Sequence, residues 1–147
     1  MLPNKTYTKI TKTAVAVFSS LTFIQLSFAA NLDYKLEAKQ IAKDTYVFEG
    51  ANDDFSKANG CNIINTGFIV TGEGVVVINT GVSKLYGEQQ RQAIAKVTNK
   101  KIKLVLNLNL HPDYFLGNQA YADVPIAALP ASIQGMKEEG ASYTYKF

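Results

Sequence analysis

The chain has 147 residues, 47% of them hydrophobic and 18% charged, with 15 Lys+Arg against 12 Asp+Glu and one cysteine. Three of the lysines, Lys5, Lys9 and Lys12, fall in the first 29 residues, where there is no acid, so the rest of the chain carries twelve charges of each sign. That neutral balance over 118 residues (147 less 29) fits one domain at most. It excludes an electrostatic case for nucleic acid or an anionic membrane as partner, and the lone Cys61 excludes an internal disulfide.

The first segment has the layout of an export signal. Lys5, Lys9 and Lys12 form a positive n-region, Thr13 to Phe28 is uncharged and mostly apolar, and Ser27-Phe28-Ala29 places small residues at a cleavage site. We read residues 1–29 as a signal peptide cleaved after Ala29, leaving a periplasmic or secreted protein with no stable membrane association. An uncleaved anchor is the competing reading, since Thr13 to Ala30 reaches the ~18 residues a spanning helix needs. Ser19, Ser20, Thr22 and Gln25 dilute that run.

Tyr34 to Ala42 and Thr45 to Glu49, separated by a turn at Asp44, read as an antiparallel edge pair. Ala51 to Gly60 is a polar loop without the spaced acids of a calcium loop. Cys61 to Val70 and Gly74 to Asn79 read as strands of a hairpin joined by Thr71-Gly72-Glu73. The second is continuously apolar, which predicts cover on both faces. Cys61, opening the first, reads as a small buried side chain.

Ser83 is placed to N-cap a helix to about Thr98, with Leu85, Tyr86, Ala93, Ile94 and Val97 on its apolar face. Ile102 to Leu108 is the next strand, flanked by Lys100, Lys101 and Lys103. Gly117 to Ala122 begins a short helix, Val124 to Leu129 is a short strand, and Pro130 to Glu139 starts a helix. Gly140 to Phe147 has no evident partner. Strand, strand, helix, strand makes an α/β unit with a crossover helix.

The chemistry-bearing stretch is Asn107-Leu108-Asn109-Leu110-His111-Pro112-Asp113-Tyr114-Phe115-Leu116-Gly117-Asn118, which holds the only histidine. It follows a buried strand, and strand ends are where α/β proteins bind ligands. It resembles the His-x-His-x-Asp-His metal loop of the metallo-β-lactamase superfamily, with Asn109, His111, Asp113 and Tyr114 at the four ligand positions. The resemblance extends over Gly67-Phe68-Ile69-Val70, the strand Gly74 to Ile78 with Thr80-Gly81, and the helix after Ser83. Asn62 to Phe68, Tyr86-Gly87-Glu88 and Ile126 to Ser132 are most similar to the exported zinc metallohydrolases associated with quinoprotein systems.

The resemblance implies an α/β (α+β) domain over 30–147: the N-terminal half of an αββα sandwich, a mixed sheet with flanking helices. It also implies a zinc-hydroxide hydrolase acting on a small-molecule substrate. His111 and Asp113 would be metal ligands, with Asp113 also in a catalytic role. Asn109 and Tyr114 depart from the ligand pattern, and Asn79 stands where the family's turn carries an aspartate. The family's second half would lie beyond Phe147.

A catalytic zinc takes three protein ligands and a water, so loss of two positions predicts a degenerate site with weak or no activity and no bound cofactor. The metal-free expectation is that His111 hydrogen-bonds near the strand end and Asp113 caps the helix after it. A noncatalytic periplasmic binding or assembly protein is the alternative. In it a second copy or a partner subunit would cover an exposed sheet face.

Overall fold

The computed structural model describes residues 32–143. The expected signal peptide, residues 1–29, lies outside them. Among the described residues no helix is long and apolar enough to cross a membrane.

Six strands form one mixed sheet in sequence order: β1 (Lys39–Ala42), β2 (Thr45–Phe48), β3 (Thr66–Val70), β4 (Val75–Ile78), β5 (Ile102–Asn107) and β6 (Ile126–Ala128). The first four pair antiparallel, β1 with β2 and β3 with β4 through tight turns and β2 with β3 across the loop of residues 49–65. Helix α1 (Lys84–Val97) then carries the chain across so that β5 lies parallel to β4. Helix α2 (Pro112–Phe115) and a 3-10 segment (Leu116–Tyr121) make a second crossover to β6, which is parallel to β5. Helix α3 (Pro130–Tyr143) follows. The α/β class, the hairpin and the crossover helix are as the sequence predicts.

Phe68, Val77 and Val105 are directly paired across three strands and are at most 1% exposed. Tyr86, Ala93 and Ile94 of α1 are buried too, and Ala93 and Ile94 join that core together with Tyr121 and Val124. Tyr46 stacks on Phe68 with ring centroids 4.7 Å apart. Each such side chain removed from water contributes roughly 1.5–3 kcal/mol.

The alternate positions answer differently. Val75 and Val77 are buried, but Val76 and Ile78 are only half-buried, and the neighbouring Ile69 is 38% exposed. This corrects the reading of β4 as covered on both faces: its apolar run hides an ordinary two-residue alternation.

Several boundaries also differ from expectation: the strand predicted from Tyr34 begins at Lys39, and that predicted over Val124 to Leu129 spans Ile126–Ala128. The strand predicted from Cys61 begins at Thr66. Cys61 has φ 62°, and its amide donates to the Ser56 carbonyl at 3.0 Å and to Asn59 Oδ1 at 2.9 Å. Those bonds fold residues 56–62 into a turn, which leaves Cys61 half-buried rather than in the core. At the other end α3 continues through Gly140 to Tyr143, so residues expected to be unpartnered are helical.

Arg91 fastens α1 to the segment after the 3-10 turn. Its guanidinium donates to both Asp123 carboxylate oxygens, at 2.6 and 2.9 Å, and to the Ala120 carbonyl at 2.9 Å. It also lies 5.2 Å from the Tyr121 ring centroid. The Arg91 partner holds the Asp123 carboxyl below its ordinary range. A depressed carboxyl contributes stability above its unfolded pKa and loses it as pH falls through the folded value. Asp123→Asn should therefore lower the unfolding midpoint near neutral pH, by an amount that shrinks as pH falls into the acid range. Urea melts across that range check this.

Candidate functional site

The site is built where the parallel strands β4 and β5 end. Asn79 turns the chain out of β4 with φ 58°, a left-handed conformation that asparagine tolerates better than most residues. Its amide donates to the Leu106 carbonyl and its Oδ1 accepts from the Leu108 amide, both at 2.9 Å. The two strand ends are thus tied by one side chain. Asparagine keeps the acceptor that an aspartate would offer there, without the charge.

The loop after β5 is strapped to the turn after β4. Thr80 N–H donates to the Tyr114 carbonyl at 2.9 Å, Gly117 N–H to the Gly81 carbonyl at 2.9 Å, and Thr80 Oγ1 to Asn118 Oδ1 at 2.9 Å. Gly117 has to be glycine: a Cβ there would lie 2.0 Å from the Thr80 carbonyl oxygen. Gly81, at φ 82°, lies against Tyr86, whose ring a Cβ would meet at 2.0 Å.

Inside the loop, Asn109 Oδ1 accepts from the His111 amide at 3.1 Å, and the Tyr114 amide donates to the His111 carbonyl at 3.0 Å. His111 is the N-cap residue of α2 but makes no side-chain cap bond, and Pro112 opens the helix. Asp113 sits in the first turn of α2, 5% exposed. It does not cap the 3-10 segment as expected; that segment starts at Leu116, with Phe115 in the cap position and no side-chain cap bond. The reason is register, since α2 occupies the residues between Asp113 and that start. Burial raises the Asp113 carboxyl above its ordinary value, opposed by its own backbone amide and by His111. A cation binding there competes with a proton held more firmly than usual.

All four sequence-predicted positions, Asn109, His111, Asp113 and Tyr114, line one cleft of about 480 Å³. Phe55, Ile63 and Ile64 form its apolar wall. Asn79 and Tyr114 line an adjoining cleft.

The donor set does not fit a catalytic zinc. Among the described residues there is no group of three or more His, Cys, Asp or Glu able to hold a metal. Asn109 offers a neutral oxygen already engaged by His111. Tyr114 offers a phenol oxygen, which is not among the usual zinc donors. His111 and Asp113 remain, one short of the three ligands a catalytic zinc takes.

Behind the loop lies a buried polar network that the sequence reading missed. Gln90 Nε2 donates to Thr66 Oγ1 at 2.9 Å and to the Asn79 carbonyl at 3.1 Å, while Gln90 Oε1 accepts from Tyr121 Oη at 2.8 Å. Thr66 Oγ1 and Tyr86 Oη share a bond of 2.8 Å. Its signal was present: Gln90 lies four residues from both Tyr86 and Ile94, on the apolar stripe of α1.

The strand order, the crossover helix and the loop at the end of β5 define the metallo-β-lactamase fold over part of its length. The chain matches the solved metallo-β-lactamase from Hirschia baltica with a TM-score of 0.61 at 17% identity, covering 71% of this chain and 48% of that one. It matches that from Pontibacter korlensis at 0.59 and 19%, with the same coverage. The enzyme from Erythrobacter litoralis gives 0.56 and 20%, covering 70% of this chain and 45% of that one. The chain thus spans about half the length of these structures, and at such identities the likeness establishes the fold. No family model and no curated protein sequence matches the chain.

Proposed function

We propose that this protein is an exported metallo-β-lactamase-fold hydrolase by descent, with a degenerate metal loop and weak or no hydrolytic activity as it stands. The observation that supports this is the cleft itself: the four loop positions converge on it, yet only His111 and Asp113 are strong donors. Zinc lowers the pKa of bound water from about 16 to about 7 when three ligands hold it, and two do not complete that site. Asn62 to Phe68 and Ile126 to Ser132 support descent from the quinoprotein-associated exported metallohydrolases, and the first 29 residues support export. The substrate class of the ancestor is a small molecule.

Metal content separates this reading from an intact enzyme. Protein purified from zinc-supplemented culture and dialysed should hold well under one zinc per chain by elemental analysis. Stoichiometric zinc that survives dialysis would overturn the degenerate-site reading.

A further inference from the structure

A second cavity, of about 410 Å³, lies where the turn Lys57–Cys61, the start of α1 and the 3-10 segment meet. Its size is within the usual range for small-molecule sites. None of the four loop positions lines it, and only Tyr143 borders both cavities.

Its lining is chemically one-sided. Lys57 and Lys84 are the only charged residues on its wall. Lys57 makes no ion pair among the described residues, and Lys84 Nζ is 3.6 Å from Glu88 Oε1 in an exposed pair, which holds a lysine weakly. Between them Tyr34 Oη and Ser83 Oγ share a bond of 3.1 Å, with Tyr34 also donating to the Gly60 carbonyl at 3.3 Å. Those bonds fix hydroxyls at the wall without neutralising either lysine. Val82 and Leu116 supply apolar surface. The Ser83 cap also puts the amino-terminal end of α1 here, which adds to the positive potential without creating it.

We propose that this cavity binds a small organic anion, a carboxylate or phosphate on an apolar body, with the anionic group at Lys57 and Lys84 and the body on Val82 and Leu116. With two lysines and no acid on its wall, the pocket offers an oxyanion opposite charge at its edge while the apolar body leaves water. The proposal does not depend on whether the metal loop is active.

Cys61 lines the cavity and is the only cysteine in the chain, so its alkylation rate reports occupancy. Phenyl phosphate and benzoate should each slow the reaction of Cys61 with a neutral maleimide, and benzyl alcohol at the same concentration should not. A stronger effect of phenyl phosphate would favour phosphate as the natural group, and a stronger effect of benzoate would favour carboxylate. Lys57→Ala and Lys84→Ala, both at exposed side chains, should each weaken protection about three- to fivefold. Glu88→Gln should strengthen it by freeing Lys84.

Equal protection by benzyl alcohol, or unchanged protection in the double lysine variant, would overturn the proposal. If Cys61 reacts with no reagent, amide chemical shifts of Gly60, Cys61, Ser83 and Lys84 during a phenyl phosphate titration replace it. No shift up to about 10 mM, a Kd weaker than roughly −3 kcal/mol of binding, would then be decisive against it.

Discussion

Asn109→His combined with Tyr114→His should increase zinc affinity by three to four orders of magnitude. Both positions already line the cleft with His111 and Asp113, so the substitutions complete a four-donor set without moving a strand. Structural zinc in four-ligand sites is worth about 10–16 kcal/mol, or roughly 3 kcal/mol per ligand, and about 1.4 kcal/mol is tenfold. Two imidazoles should therefore contribute about 5–6 kcal/mol before costs. One cost is visible: Asn109 Oδ1 no longer accepts the His111 amide, a loss of about 1 kcal/mol.

Competition against a chromogenic chelator measures the gain, and each single variant should show about half of it on a logarithmic scale. A double variant that binds zinc no better than the starting chain would mean that the four positions share a cleft without converging on one point. Restored affinity without restored turnover would locate the remaining deficit outside this loop, for instance at the uncharged Asn79.

Much of the fold could be read from local pattern. The β-branched and aromatic runs, the Asp44 and Thr71-Gly72-Glu73 turns and the Ser83 cap each act over a few residues, and each appears in the structure, Ser83 with its oxygen accepting from Tyr86 N–H at 3.1 Å. The errors occur where non-local or side-chain bonding decides. The strand expected from Cys61 is pre-empted by Asn59, whose side chain accepts from Ser56 N–H as well as Cys61 N–H and closes a turn. The two-sided cover expected for β4 fails because β-branched runs report strand propensity more than burial.

At the site, the four loop positions singled out from the sequence line one cleft in the structure. The sequence does not reveal that Asp113 is buried while His111 is exposed, because that depends on how α2 docks under Thr80 and Gly81. Gln90 was overlooked for a related reason: polar residues on an amphipathic helix default to the solvent face, and only tertiary partners could show that this one does not.

Gln90→Leu should cost about 3–5 kcal/mol of stability. Leucine is close in volume, so the change creates little cavity and tests hydrogen bonding. It strands the Tyr121 hydroxyl and the Asn79 carbonyl, each a buried group whose lost partner costs about 1–3 kcal/mol, and removes a bond to Thr66. Neither tyrosine can relieve the loss by ionising. Burial raises Tyr121 further above the phenol range and pushes Tyr86 up to about 12, so both stay neutral at any working pH.

Gln90→Glu separates shape from bonding. A carboxylate can still accept from Tyr121 but faces the Asn79 carbonyl oxygen with no proton to donate. Protonation restores a donor, so this variant's deficit relative to the parent should shrink as pH falls. Urea unfolding gives the midpoints. A Gln90→Leu protein within about 1 kcal/mol of the parent would show that the network is dispensable.

The same substitution reaches the loop after β5 through one residue. Asn79 receives Gln90 at its carbonyl and holds the Leu108 amide at its side chain. Loosening the first contact should therefore speed hydrogen exchange at Leu108 beyond the global loss of stability. If Leu108 exchanges only as fast as global unfolding allows, Gln90 supports the core alone and the loop takes its order from Thr80 and Gly117.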